Sequence, residues 1–393
     1  MSWRNALLKA SLVTCATAAL LAGIAWWAAR PVKPDDFYTW NGAPGDPGKL
    51  LRAEPYGLDV PRGMQAQRIL YATTRLDGRP AVASAIIMQP LQTAAPSPVV
   101  AWAHGTTGVA PGCAPSVTMP FANVPALGEL QDRGWTYVAT DYVGLGTDGG
   151  HAYLVGADAA RNVLDAVRAA RTVDSLALDN RVVVWGHSQG GNSALWTGMI
   201  ASSYAPDVNV LGIAALAPAS DLKALLNSSQ KGVFGKIVSS YLLYAYAATY
   251  PDVKRNELVS GLPALLTADI AGRCVGGLET LYSVAETALL PAAGIFDNEL
   301  LQGAMGKRLG ENTPDGPFPV PVLLAQGEKD DLVLESVQKS YATARCAEGQ
   351  PIDYRVIAGR DHISLVAPDS PLSSALAQWT SDRFANLPAA PAC

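Results

Sequence analysis

Continuous apolar runs recur along the chain, with amphipathic stretches between them. Val99–Ala103, Tyr137–Thr140, Val182–Trp185, Val210–Leu216, Val322–Ala325 and Tyr354–Ile357 each read as a short strand buried on both faces. Between them, Val163, Ala166, Val167 and Ala170 repeat at helical spacing, with Arg161, Asp165 and Arg168 assigned to the opposite, polar face. Ser370-Pro371 is a helix start, followed by Leu372, Ala375, Leu376 and Trp379 on one face. Strands alternating with helices predict a doubly wound, mostly parallel α/β sheet flanked by helices. The chain from Pro44 to Pro61 reads as a Pro/Gly-rich lead-in.

One interval breaks the alternation. From Leu222 to Pro317 no strand is evident, and stretches such as Tyr241-Leu242-Leu243-Tyr244-Ala245-Tyr246 carry more bulk than a solvated face needs. It reads as a helical cap inserted between two strands, its inner face lining an acyl pocket. The predicted organisation is an N-terminal export segment (1–30), a core in two parts (31–221 and 318–393) and the cap (222–317).

The first thirty residues are set apart from the fold. Arg4 and Lys9 precede an uncharged run from Ala10 to Ala29, closed by Arg30 and the Pro31–Pro34 region. This is the pattern of an export signal. The run is also long enough to tether the chain to a membrane through residues 10–29. Gly23-Ile24-Ala25 offers a small-residue cleavage site, and Trp26 and Trp27 after it have the character of an interfacial anchor.

Composition narrows the class. Hydrophobic residues make up 49% of the chain and charged ones 16%, which excludes general disorder and implies a sparsely charged surface. The formal net charge of −5 comes without a basic stripe, so nucleic acid is not the expected partner. Of five cysteines, Cys15 lies in the N-terminal run, where the preceding Thr14 fits a lipid-attachment site poorly. Cys113, Cys274, Cys346 and Cys393 remain, an even set in an exported chain, and read as two disulfides with three connectivities open. None has CxxC spacing or a nearby histidine, so no metal site is implied.

The candidate chemistry centres on Gly186-His187-Ser188-Gln189-Gly190, which follows a buried strand and opens a helix near Gly191. A hydroxyl exposed on a tight strand-to-helix turn needs small flanking residues, and this is the arrangement of a nucleophile elbow with Ser188 at its tip. The fold then requires an acid and a histidine, in that order, after the serine. There are four histidines. His104 and His151 precede Ser188, and His187 is the variable residue of the elbow, expected to point away and be structural. His362, in the loop after Tyr354–Ile357, is left as the base. The acid is expected in Glu328-Lys329-Asp330-Asp331, directly after Val322–Gly327. Asp330 is the first choice, with Asp331 and then Glu328 as competitors. The oxyanion hole is assigned to the backbone N–H of Gln189 and to Thr106, in the glycine-containing bend Ala103-His104-Gly105-Thr106-Thr107-Gly108.

These segments resemble the secretory lipase family, whose members include fungal lipases of the lipase-A type. The similarity is carried by Ala103–Gly108, by Asp141-Tyr142-Val143-Gly144-Leu145-Gly146 and its continuation to Tyr153, by Gly186–Gly190, and by the Gly327…Asp330 and Asp361-His362 loops. It implies an α/β-hydrolase fold with a lid, a triad of Ser188, Asp330 and His362, and hydrolysis of acylglycerols and simpler esters. It also implies disulfides Cys113–Cys274 and Cys346–Cys393. Many family members have a proline shortly after the triad acid, near the place where Leu334 stands here.

The expected function is an exported serine hydrolase cleaving small-molecule or lipid carboxylic esters through an acyl-enzyme, without metal or organic cofactor. An exported peptidase or amidase on the same fold would need an anchor for a peptide terminus, and the cap offers no clear carboxylate pair. Acyltransfer to an alcohol is a further activity open to the same site. A non-catalytic binding protein fits less well, because nucleophile, acid, base and oxyanion loop are all present in order.

Overall fold

Apolar runs at the centre of the sequence become the centre of one sheet. In the computed structural model the described residues are 3, 14, 17, 23–92, 96–296, 301–350 and 352–389. Strands β1 (Leu50–Tyr56), β2 (Met64–Thr74), β3 (Pro80–Pro90), β4 (Ser97–Ala103), β5 (Thr136–Thr140), β6 (Leu178–His187), β7 (Asn209–Leu216), β8 (Val322–Gly327) and β9 (Ile352–Ile357) align in the order β1-β2-β3-β5-β4-β6-β7-β8-β9. From β5 to β9 every pairing is parallel. The three strands on the other side pair antiparallel, as does β3 with β5.

The helices are α1 (Leu127–Asp132), α2 (Gly156–Ala170), α3 (Gln189–Tyr204), α4 (Leu222–Ser229), α5 (Val233–Thr249), α6 (Arg255–Leu258), α7 (Gly261–Ala271), α8 (Gly277–Thr287), α9 (Ala304–Glu311), α10 (Glu335–Ala347) and α11 (Leu372–Phe384). Side chains from α2, α3 and α10 join one face of the sheet in a single core, which includes Val99, Ala101, Val182 and Val184. Alternate residues Val100, Trp102, Val183 and Trp185 face the other way, against Leu130 of α1 and Leu372, Leu376 and Trp379 of α11. Trp185 is fully buried, and its indole N–H donates to Thr380 Oγ1 at 2.9 Å. Full burial of side chains this size stabilises by about 1.5–3 kcal/mol each, which is why strands without polar alternation sit at the centre.

Between β7 and β8 the described residues form α4 to α9 and no named strand. Their buried side chains, among them Leu222, Ile237, Tyr241 and Leu242, form a separate core shared with Tyr153 and Leu154 of the main body. Together with the sheet and its flanking helices this is the α/β-hydrolase architecture.

Four expectations need correction. The Pro44–Pro61 lead-in contains β1, and β2 and β3 extend the sheet beyond the predicted strands. Asp165 is fully buried rather than on a polar face; its carboxylate accepts from Thr73 Oγ1 and Tyr204 Oη, each at 2.7 Å. The helix after Ser188 starts at Gln189, two residues earlier than read from the glycines. Lastly, the N-terminal segment is not wholly apart from the fold. Arg30 Nη2 donates to Asp269 Oδ1 at 2.6 Å, Trp26 Nε1 donates to Asp269 Oδ2 at 3.3 Å, and Arg273 donates to the carbonyl of Ala29. Most of the expected tether, residues 10–29, lies outside the described residues. Among those described, no helix is long and apolar enough to cross a membrane.

Cys113 and Cys274 are disulfide-bonded, with Cα atoms 5.2 Å apart. The other expected bridge ends at Cys393, outside the described residues.

Candidate active site

The strand β6 stops and α3 begins with a single residue between them. That residue, Ser188, takes φ 58° and ψ −118°, a strained conformation that projects its side chain off the sheet edge. Only glycine fits on either side. A Cβ on Gly186 would lie 2.0 Å from the carbonyl oxygen of Gly190, and one on Gly190 would lie 1.8 Å from that of Ala103. Ser188 N–H donates to Leu216 O at 2.9 Å, fixing the elbow to β7. Gln189 is the first residue of α3, so its N–H has no acceptor within the helix and sits at the positive end of the helix dipole.

Gly105 brings the loop after β4 beside the elbow: its ideal Cβ would be 3.7 Å from Ser188 Cβ. Ser188, Gln189, Thr106 and His362 all border one cavity of about 580 Å³ between the sheet edge and the helical insertion. The insertion contributes Leu225 of α4 and Phe234, Ile237 and Val238 of α5 to its wall.

His362 and Asp330 meet directly, Nδ1 to Oδ2 at 2.7 Å, both largely buried. The second carboxylate oxygen accepts from the N–H groups of Leu332 at 3.0 Å and Val333 at 2.7 Å, and Gln326 Nε2 donates to Oδ2 at 2.9 Å. Burial pushes the Asp330 carboxyl upward, but the hydrogen bond and charge of His362, with those N–H donors, hold it below the usual carboxylate range. A carboxylate so held keeps the imidazole hydrogen on Nδ1 and leaves Nε2 as the basic atom. Among the described residues neither competitor bonds to His362: Asp331 borders the cavity but is exposed, and Glu328 accepts from Gly359 N–H at 2.7 Å. Leu334, where many family members have proline, has φ −60°, a value proline also adopts.

The three histidines set aside as the base, His104 and His151 on sequence order and His187 as the variable residue of the elbow, are nevertheless buried near the site. His187 does not point away. It borders the cavity, its ring lies 4.7 Å from that of His362, and its Nε2 donates to His362 O at 2.9 Å. Burial, and then the neighbouring His362, lower its pKa to about 3, so it is a neutral buttress. His104 is lowered to about 4 by burial; its Nδ1 faces Gly105 O at 2.6 Å and its Nε2 faces Asp141 O at 3.2 Å, and the neutral ring donates its one hydrogen to one of these carbonyls. His151 meets the Gln189 side chain, Nε2 to Nε2 at 2.9 Å. Tyr153 and the fully buried Asp141 also border the cavity and were not singled out individually. Their signal was the Asp141–Tyr153 loop as a whole.

A family model described as secretory lipase matches residues 121–391. Among curated proteins, a probable inactive lipase of Mycobacterium tuberculosis is 26% identical over 87% of this chain and 79% of its own length. Lipase A of Moesziomyces aphidis is 24% identical over 90% of this chain and 82% of its own. Among solved structures, Candida antarctica lipase A superposes with a TM-score of 0.74 at 18% identity, over 91% of this chain and 87% of that one. A rice cell wall degrading esterase from Xanthomonas oryzae gives 0.64 at 21% identity, over 86% and 96%.

Proposed function

This chain belongs to the secretory lipase family, and on that premise we propose that it is an exported serine hydrolase cleaving carboxylic esters, acylglycerols among them. The observation that carries the reading is the Asp330–His362 bond at 2.7 Å, set beside a serine on a strained elbow in one cavity wall. Ser188 Oγ attacks the ester carbonyl while His362 Nε2 takes its proton. Asp330 stabilises the imidazolium that forms. The carbonyl oxygen, now negative, is met by the N–H groups of Gln189 and Thr106. His362 then protonates the departing alcohol, and water, activated by the same imidazole, releases the acid from the acyl-enzyme.

The helical insertion acts as a cap in this reading. Leu225, Phe234, Ile237 and Val238 give the cavity an apolar wall suited to an acyl chain. One relative is described as a probable inactive lipase. An active enzyme is favoured here because nucleophile, acid and base are all present and the last two are already bonded.

The test is hydrolysis of p-nitrophenyl butyrate and p-nitrophenyl palmitate by the purified full-length chain and by Ser188→Ala. The expected result is a fall of roughly 10⁶-fold in kcat on losing the nucleophile. The ratio of the two esters then sorts esterase from lipase. Equal rates for both proteins would end the ester-hydrolase reading and bring the peptidase and binding alternatives forward.

A further inference from the structure

Both residues assigned to the oxyanion hole are held by side chains of one short segment. Thr106 Oγ1 and Tyr153 Oη are 2.7 Å apart, and the Gln189 side-chain amide donates from Nε2 to His151 Nε2 at 2.9 Å. His151 and Tyr153 are two residues apart, and each is buried. We propose that His151 and Tyr153 are the positioning residues of the oxyanion hole, and that Tyr153 keeps one hydrogen of the Thr106–Tyr153 hydroxyl pair free to meet the oxyanion; the proposal rests on the ester-hydrolase reading above.

Hydrogen counting gives the second half of the proposal. Two hydroxyls carry two hydrogens, and their mutual bond uses one, whichever oxygen donates. Among the described residues neither oxygen has another hydrogen-bond partner. Both residues border the cavity that holds Ser188. The spare O–H is therefore available to an oxygen arriving in that cavity, and the oxygen that gains charge there is the substrate carbonyl's. When Tyr153 donates to Thr106 Oγ1 the spare hydrogen is on Thr106, whose side chain then adds a donor to the two backbone N–H groups and acts as a catalytic residue, while Tyr153 fixes its rotamer.

His151 secures the other donor. Its Nε2 accepts from the Gln189 amide, so its hydrogen is on Nδ1, which faces Val143 O at 3.4 Å. Burial lowers its pKa to about 3, consistent with a neutral ring that can accept. The segment is itself rigidly placed. His151 stacks on Tyr142 with ring centroids 5.6 Å apart, and Tyr153 meets Tyr241 of α5 edge-on at 5.9 Å. The loop closes on Gly144, where φ is 85° and a Cβ would lie 2.3 Å from His151 N, so only glycine lets it form.

The first variant is Tyr153→Phe, which removes the hydroxyl and keeps the ring against Tyr241. Loss of an oxyanion donor costs about 10²–10³ in kcat. Loss of its support is expected to lower kcat on p-nitrophenyl butyrate by roughly 10- to 100-fold, with KM changed by less than about threefold. Thr106→Val should give a fall of the same order and Thr106→Ser should recover most of it. The double variant Tyr153→Phe/Thr106→Val should be no worse than the poorer single one, because both remove the same donor. His151→Phe, which keeps a ring but no acceptor, should also lower kcat rather than raise KM. The proposal is overturned if Tyr153→Phe keeps kcat within about twofold of the unaltered enzyme, if the Tyr153 and Thr106 effects multiply, or if the change falls on KM alone. An unaltered enzyme with no ester turnover above Ser188→Ala would remove the hydrolase reading, and this one with it.

Discussion

The two sides of Ser188 are secured by different kinds of contact. On the side proposed for the base, Asp330 takes its backbone donors from Leu332 and Val333 and its amide from Gln326, all within four residues of itself. One long-range bond, to His362, completes it. On the side proposed for the oxyanion almost nothing is local. Thr106 leans on Tyr153, Gln189 on His151, and Thr107 O accepts from Val275 N–H at 2.7 Å, with Gly108 bridged to Cys274. The half proposed to handle the proton is thus built into two strand ends. The half proposed to stabilise charge depends on a distant loop and on the helical insertion, so disturbing the insertion should reach that side first.

The largest effect that would break this contrast lies on the base side. Asp330→Asn should lower kcat by about 10⁴-fold, since a neutral amide can hold the imidazole in the wrong tautomer. Asp331→Asn, one residue along and exposed, should leave kcat within about twofold. Steady-state kinetics on p-nitrophenyl butyrate separates them. A large loss in Asp331→Asn with little in Asp330→Asn would move the acid and undo the local architecture drawn around it.

The Cys113–Cys274 bridge sharpens the other half, because it ties the segment after the oxyanion loop to the link between α7 and α8. It spans 161 residues of sequence, for which the chain-entropy model gives up to about 5 kcal/mol. Cys274→Ser and Cys113→Ser should each lower Tm by several degrees, and the double variant by no more than either. Thermal unfolding followed by circular dichroism checks this. If kcat falls in these variants at temperatures where they remain folded, the oxyanion side is mechanically coupled to the insertion; if only Tm falls, the bridge is a staple.

That contrast also explains what could be read from sequence. Ser188, His362 and the Asp330 region stand in short segments flanked by apolar strands, so period and order along the chain bring them to one sheet edge. The helical interval was visible because it lacks strand patterning over nearly a hundred residues. His151 and Tyr153 were not visible in the same way, because their partners are 38 and 47 residues distant and no spacing links them. The antiparallel strands β1 to β3 were missed for a different reason. β1 is half-exposed, and Pro55 and Glu54 in it mimic a loop. The signal that could have exposed the β2–β3 hairpin was Asp77-Gly78 between two runs of residues suited to strands, with Gly78 at φ 82°.

The smallest of these effects concerns a carboxylate under the oxyanion loop. Asp141 is fully buried; it accepts from Ser84 Oγ and Ser116 Oγ at 2.5 Å and from Ser116 N–H at 2.9 Å, while its carbonyl faces His104. Burial raises its pKa from the ordinary carboxylate value of 3.8 to about 6, although the serine hydrogen bonds work against this. The sign follows from proton counting. Between pH 4 and pH 6 the folded chain keeps a proton that the unfolded chain has lost, so this residue's contribution to stability falls as pH rises through that window and is level above it. The whole change is roughly 2–3 kcal/mol. Asp141→Asn carries no such titration. Urea unfolding at pH 4 and pH 6.5 should therefore show the variant gaining about that much relative to the unaltered chain at the higher pH, whatever the baseline cost of refitting an amide among two serines. A difference that stays constant across the two pH values would mean that Asp141 titrates like an exposed carboxylate.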